Sequence, residues 1–136
     1  GKIKILLFGG GEIECKQLEI VAGTNSNVFN LGGFMPFEEE LAMLSNLDAM
    51  VSVDTGNGHL AAMYGVPVIT LWGNTHPFAG FVPFLQPEEN QITVSREQFP
   101  LIPTSIYGNK VPDSYEKVME TIDCGSIVER LREVLN

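Results

Sequence analysis

Between residues 17 and 95 the chain contains no lysine or arginine. Its eight bases fall at positions 2–16 and 96–132, against seventeen acids, and the formal net charge is -9. A nucleic-acid binder neutralises phosphates with the opposite balance, so that class is excluded. Long apolar runs are also missing. None approaches the ~18 residues that span a bilayer, and the first apolar stretch has neither the length nor the cleavage site of a signal peptide. A soluble, cytoplasmic protein is the expectation. Cysteine is scarce: Cys15 and Cys124 allow one disulfide at most and no Cys-rich zinc site, which suits reduced structural thiols. The chain opens on Gly1 and not on Met, as a tag remnant or an excised piece of a longer protein would.

What is present suits a folded α/β domain. Of the 136 residues 44% are hydrophobic and 18% charged, the balance of one globular domain that buries roughly two thirds of its unfolded surface. Residues 3–8 (IKILLF) form a short apolar run closed by three glycines at 9–11, which predicts a buried strand and a loop. A helix is predicted over 12–22, with Ile13, Leu18 and Val21 at helical spacing and Glu12 and Glu14 in the first turn, where the macrodipole favours acids. Residues 27–31 (NVFNL) read as a second strand. Pro36 then suits the first turn of a helix in which Glu38, Glu39 and Glu40 make a solvated face and Leu41, Leu44 and Leu47 a buried one.

A third strand is predicted over 49–53 with Asp54 at its carboxyl end, then a helix over 55–64 stopped by Gly65, and a fourth strand over 67–72 (PVITLW), apolar on both faces. Residues 74–112 are irregular, with prolines at 77, 83, 87, 100, 103 and 112 and only 91–94 (QITV) resembling a strand; such a stretch is more often functional than accidental. The last amphipathic helix spans 127–135, with Ile127, Leu131, Val134 and Leu135 on one face. Strands alternating with helices predict a Rossmann-like, doubly wound parallel sheet with right-handed crossovers. Ligands in that architecture sit beyond the carboxyl ends of the strands, where the glycine loops at 9–11 and 32–33, Asp54 to His59 and Gly73 to Pro77 would all fall.

The richest segment is V-S-V-D-T-G-N-G-H-L-A-A over residues 51–62. A carboxylate at a strand end, followed by small residues opening a helix, exposes backbone N–H groups that hold an anionic diphosphate without a cation. Asp54 can accept hydrogen bonds from sugar hydroxyls, and His59 can donate to phosphate or sugar. The plainer alternative is that Asp54 or Thr55 caps the helix and His59 is a surface imidazole. Likewise L-W-G-N-T-H-P over 71–77 reads either as part of the same site or as a strand-ending turn.

Together these segments resemble glycosyltransferase family 9, the ADP-heptose:lipopolysaccharide heptosyltransferases, whose carboxyl-terminal domain reads D-[ST]-G-x-x-H-L-A-A, then G-x-P-V, then G-x-T-x-P. The resemblance runs from Ile5 to about Leu135 and is specific over residues 51–78. It extends to the Phe8-Gly9-Gly10 turn, the T-H-P-F-A-G-F run from Thr75 and the S-I-Y-G-N-K run over 105–110, as in versions of the family from Bacteroides-type bacteria.

The resemblance implies one half of a two-domain GT-B enzyme that binds a nucleotide-sugar donor such as ADP-heptose. Asp54, Thr55, Gly56, His59, Gly73 and Thr75 would line the donor site, and Glu12 or Glu14 would contact the nucleoside. No separate cofactor or metal is implied. A glycolipid or oligosaccharide acceptor would be met through an amino-terminal domain that also supplies the catalytic base. That domain and the first strand–helix unit of this one, which carries a basic residue in the family, are missing from residues 1–136. Membrane contact would be peripheral at most, at the inner membrane. Related sequences often carry cysteines around the Y-G-N-K run, where this chain has Leu101, Thr104 and Pro112, so no metal or disulfide is expected there.

Three rival readings are weaker. Asp54-Thr55-Gly56 matches the aspartic protease triplet, but a helical H-L-A-A-M-Y-G segment follows where an all-β protease needs strands. A receiver-type signalling domain would use Asp54 as phospho-acceptor, yet it needs an acidic pair after the first strand, where glycines 9–11 stand. Metal binding by Asp54, His59 and His76 has suitable ligand types without close spacing.

Overall fold

A computed structural model describes residues 3–33 and 35–136. The elements are β1 (Ile5–Leu7), α1 (Glu12–Ala22), β2 (Val28–Asn30), α2 (Phe37–Leu44), β3 (Met50–Val53), α3 (Gly56–Met63), β4 (Val68–Trp72), β5 (Gln91–Thr93) and α4 (Cys124–Leu135), with short 3-10 turns at Pro77–Ala79, Glu88–Asn90, Asp113–Tyr115 and Val118–Thr121. The fold is α/β with parallel strands. In place of one doubly wound sheet, the strands form a two-stranded sheet, β1-β2, and a three-stranded sheet, β3-β4-β5. These lie in two compact units, Gly1–Ala42 and Met43–Asn136.

In the first unit β1 and β2 pair in register Ile5↔Val28 and Leu7↔Asn30, linked by α1. The predicted helix bounds hold, but the packed face differs. Cys15, Leu18 and Ala22 are half-buried, whereas Ile13 and Val21 are 78% and 62% exposed. At 3.6 residues per turn Ile13 points away from the Cys15–Leu18–Ala22 stripe. That stripe is selected by close approach: Asn30 Nδ2 donates to the Cys15 carbonyl at 3.2 Å. A β-carbon on Gly32 would lie only 3.1 Å from Cys15 Sγ.

The second unit is organised around β4, whose Val68, Ile69, Thr70 and Trp72 are at most 1% exposed. It lies between β3 and β5, in register Met50↔Val68, Val53↔Leu71 and Trp72↔Thr93. A central parallel strand is covered on both faces, which is why its sequence is continuously apolar. Gln86 completes the start of β4. Its Oε1 accepts from the Val68 amide at 2.7 Å and from Asn90 Nδ2 at 3.2 Å, and its Nε2 donates to the Val66 carbonyl.

The helix predicted from Thr55 begins at Gly56 with Thr55 as the N-cap, and Gly65 lies one place beyond the cap at φ +79°. The terminal helix is longer than predicted, starting at Cys124 because the Asp123 carboxylate accepts from the Ser126 amide at 2.8 Å. The irregular segment is ordered by a satellite core of Val94, Ile102, Tyr115 and Val118, against which Phe99 and Ile122 pack. Among the described residues no helix is long and apolar enough to cross a membrane.

Candidate functional site at the carboxyl edge of the three-stranded sheet

Asp54 follows β3 directly, and the next strand ends at Trp72, so the Asp54 and Gly73 loops leave the sheet at the same edge. Adjacent strands are ~4.8 Å apart, which brings both segments within reach of one small ligand. The helix behind this edge comes close to the sheet. α3 buries Gly58, Ala61 and Ala62, and a β-carbon on Gly58 would lie 2.8 Å from Ser52 Oγ.

The start of α3 carries no side-chain cap. Ser52 Oγ donates to the Val53 carbonyl at 2.7 Å and lies 3.1 Å from Thr55 Oγ1, so the Thr55 hydroxyl is turned to Ser52 and not onto the first-turn amides. The capping alternative therefore does not hold for Thr55. Asp54 is half-buried, as is His59, and neither side chain makes a hydrogen bond or ion pair with the described residues. A β-carbon on Gly56 would meet nothing within 4 Å, which leaves the approach to the helix end open. Uncapped N–H groups at a helix start are donors for an anion, and the macrodipole adds to their attraction.

Gly73 and Thr75 belong to this edge but serve packing as well. A β-carbon on Gly73 would sit 2.6 Å from Met119 Sδ, so a larger residue there would have to displace the Met119 side chain. Thr75 meets the 105–110 run, since a β-carbon on Gly108 would be 2.8 Å from its methyl group. That run folds back on the edge, with Tyr107 against Phe81 at 6.2 Å between ring centroids. Asn74 Nδ2 donates to the Tyr115 carbonyl at 3.0 Å, and the Thr104 amide donates to the Asn74 carbonyl at 3.0 Å.

His76, which the sequence placed beside Pro77 without a role in the donor site, is 7% exposed. Its Nδ1 accepts from the Phe78 amide at 3.1 Å, capping the Pro77–Ala79 turn. Burial, and secondarily the positive charge of Arg96, hold its imidazole below the ordinary 6.5. Arg96 is a cation that the sequence reading missed. It comes three residues after β5 ends, hence at the carboxyl end of a third parallel strand.

Glu12 and Glu14 lie in the first unit, at the start of α1. Glu12 pairs with Lys16 at 2.6 Å, both side chains well exposed. The Glu14 carboxylate accepts from the Gly10 amide at 2.8 Å, which ties down the loop after β1. Both acids thus have local partners.

An α/β chain with an uncapped helix start at the carboxyl end of a parallel strand is the architecture of an anion- or nucleotide-binding unit. The family model of glycosyltransferase family 9 (heptosyltransferase) matches residues 1–110, and the chain belongs to that family. No curated protein and no solved structure matches the chain. A glycosyltransferase uses a nucleotide-sugar donor and an acceptor, and this membership displaces the receiver-domain alternative for Asp54.

Proposed function

We propose that the chain is the donor-binding, carboxyl-terminal half of an inverting glycosyltransferase that transfers heptose from ADP-heptose to a lipopolysaccharide-core acceptor in the cytoplasm. The observation that carries this reading is the start of α3: no side-chain cap from Thr55, an open Gly56, and Asp54 and His59 without a hydrogen-bond or ion-pair partner among the described residues. The diphosphate would lie on the amides of residues 56–58. Asp54 would accept from sugar hydroxyls and His59 would donate to phosphate or sugar. Gly73 and Thr75 would shape the opposite wall.

In the reaction a base outside this chain removes a proton from the acceptor hydroxyl. The hydroxyl oxygen bonds to the anomeric carbon as the bond to the diphosphate breaks on the opposite face, which inverts the centre. The departing diphosphate gains negative charge, and the helix start stabilises it without a metal. A missing first strand–helix unit and a separate acceptor domain complete the GT-B enzyme in this reading.

Calorimetric titration with a panel of nucleotide sugars tests the reading. ADP-heptose should bind more tightly than UDP- or GDP-sugars, equally with magnesium and with EDTA. Preference for another nucleotide, or an absolute magnesium requirement, would overturn it.

A further inference from the structure

Arg96 is held from two sides and left without a counter-charge. Its Nε donates to the Ile102 carbonyl at 2.9 Å, and its guanidinium carbon lies 5.3 Å from the centroid of the Phe78 ring. Among the described residues no carboxylate pairs with it, although acids outnumber bases about two to one in the sequence. Phe78 is 74% exposed, and its ring centroid is 4.0 Å from that of the buried His76. Because His76 Nδ1 is an acceptor for the Phe78 amide, the neutral ring carries its proton on Nε2, a second donor beside the guanidinium. An exposed aromatic face, a fixed arginine fork and an imidazole N–H thus meet just beyond the ends of β4 and β5.

We propose that Arg96, Phe78 and His76 form a subsite for a phosphorylated sugar. The free Nη groups of Arg96 present parallel donors that match two phosphate oxygens, a fit that lysine lacks. The Phe78 ring offers an apolar platform for the C–H face of the sugar. Orientation costs little, since the Ile102 carbonyl and the ring already fix the guanidinium. The subsite goes beyond the donor site at α3 and rests on the glycosyltransferase reading only for the source of its ligand. The phosphate belongs either to the donor's diphosphate or to a phosphate on the acceptor sugar.

The test follows the His76 side chain by NMR while the protein is titrated with glucose 6-phosphate, with ADP and with glucose. Glucose 6-phosphate should shift the His76 signals, and glucose should not. In Arg96→Gln the affinity should fall about tenfold or more, the loss of one charge-assisted contact. Arg132→Gln, a charge-matched change on α4, should bind as the parent does. Arg96→Lys keeps the charge without the fork and should fall between the parent and Arg96→Gln. ADP that displaces the sugar phosphate assigns the subsite to the donor; simultaneous binding assigns it to the acceptor. An unshifted His76, an Arg96→Gln protein that binds like the parent, or equal losses in the Lys and Gln variants would overturn the proposal. The donor reading fails separately, if ADP leaves the amides of residues 56–59 unmoved while His76 still responds to the sugar phosphate.

Discussion

Gly58 and Ser52 are so closely apposed that a β-carbon on the glycine would stand 2.8 Å from the serine oxygen and 3.2 Å from its Cβ. This contact sets how near α3 lies to β3, and so where the helix start stands beside Asp54. Gly58→Ala is expected to destabilise the protein by about 1–3 kcal/mol, the usual effect of overpacking, and to weaken nucleotide binding by displacing the helix. Gly56→Ala separates the two effects. Its β-carbon meets open space, so stability should hold or rise by about 0.4–1 kcal/mol while nucleotide affinity falls. Urea denaturation and ADP titration of both variants check the pair.

Gly73 and Met119 form a second pair of this kind. The clash that a Gly73→Ala change creates is with a flexible, part-exposed side chain, so truncating that side chain should relieve it. The double variant Gly73→Ala, Met119→Ala is expected to be more stable than the sum of the two single changes implies. A double-mutant cycle by chemical denaturation measures the coupling.

Gln86 stands in for a neighbouring strand at the start of β4. Replacing it with Leu removes the acceptor of the Val68 amide, in a residue that is fully buried. A buried donor left without a partner costs about 1–3 kcal/mol, and a loss of that size should appear in the denaturation midpoint. Exchange of the Val68 amide should quicken in the same variant.

The imidazole of His76 should titrate below 6.5 when followed by NMR. Burial is the larger cause, so Arg96→Gln should raise the midpoint only part of the way. A histidine with a lowered folded pKa binds fewer protons folded than unfolded, so stability increases with pH across the interval. The contribution is present above about pH 6.5 and is lost as the pH falls through the folded midpoint. Stability measured from pH 7 down to pH 5 should decline less in His76→Asn than in the parent.

The strand and helix order and the Asp54 edge were legible because both are local. A carboxylate at the end of an apolar run, followed by Gly56 and Gly58, specifies a strand, a turn and a helix start within a few residues. Contacts made across the chain were not legible. The spacing of Ile13, Leu18 and Val21 announces a helix but not which side packs; that was decided by Cys15 meeting Gly32. Gly73 read as a place for ligand to approach; that the side of it where a β-carbon would point is filled by Met119 could not be read locally. Arg96 escaped notice because it stands one residue past the cation-free stretch, in a proline-rich segment without periodicity. Its signal was its position just after the 91–94 strand, at the edge where ligands bind.

The central claim is that the start of α3 holds the diphosphate of a nucleotide-sugar donor. Backbone amide NMR of the chain titrated with ADP in EDTA tests it most directly, with Asp54→Asn as companion. A helix end supplies at most ~2 kcal/mol, and the surrounding stretch from 17 to 95 adds only acids, so binding between micromolar and millimolar is expected. The amides of residues 56–59 should shift together along one saturable curve, with the largest movement at Gly56 and Asn57. Absence of any shift there, or saturation that appears only when magnesium is added and vanishes in Asp54→Asn, would contradict it.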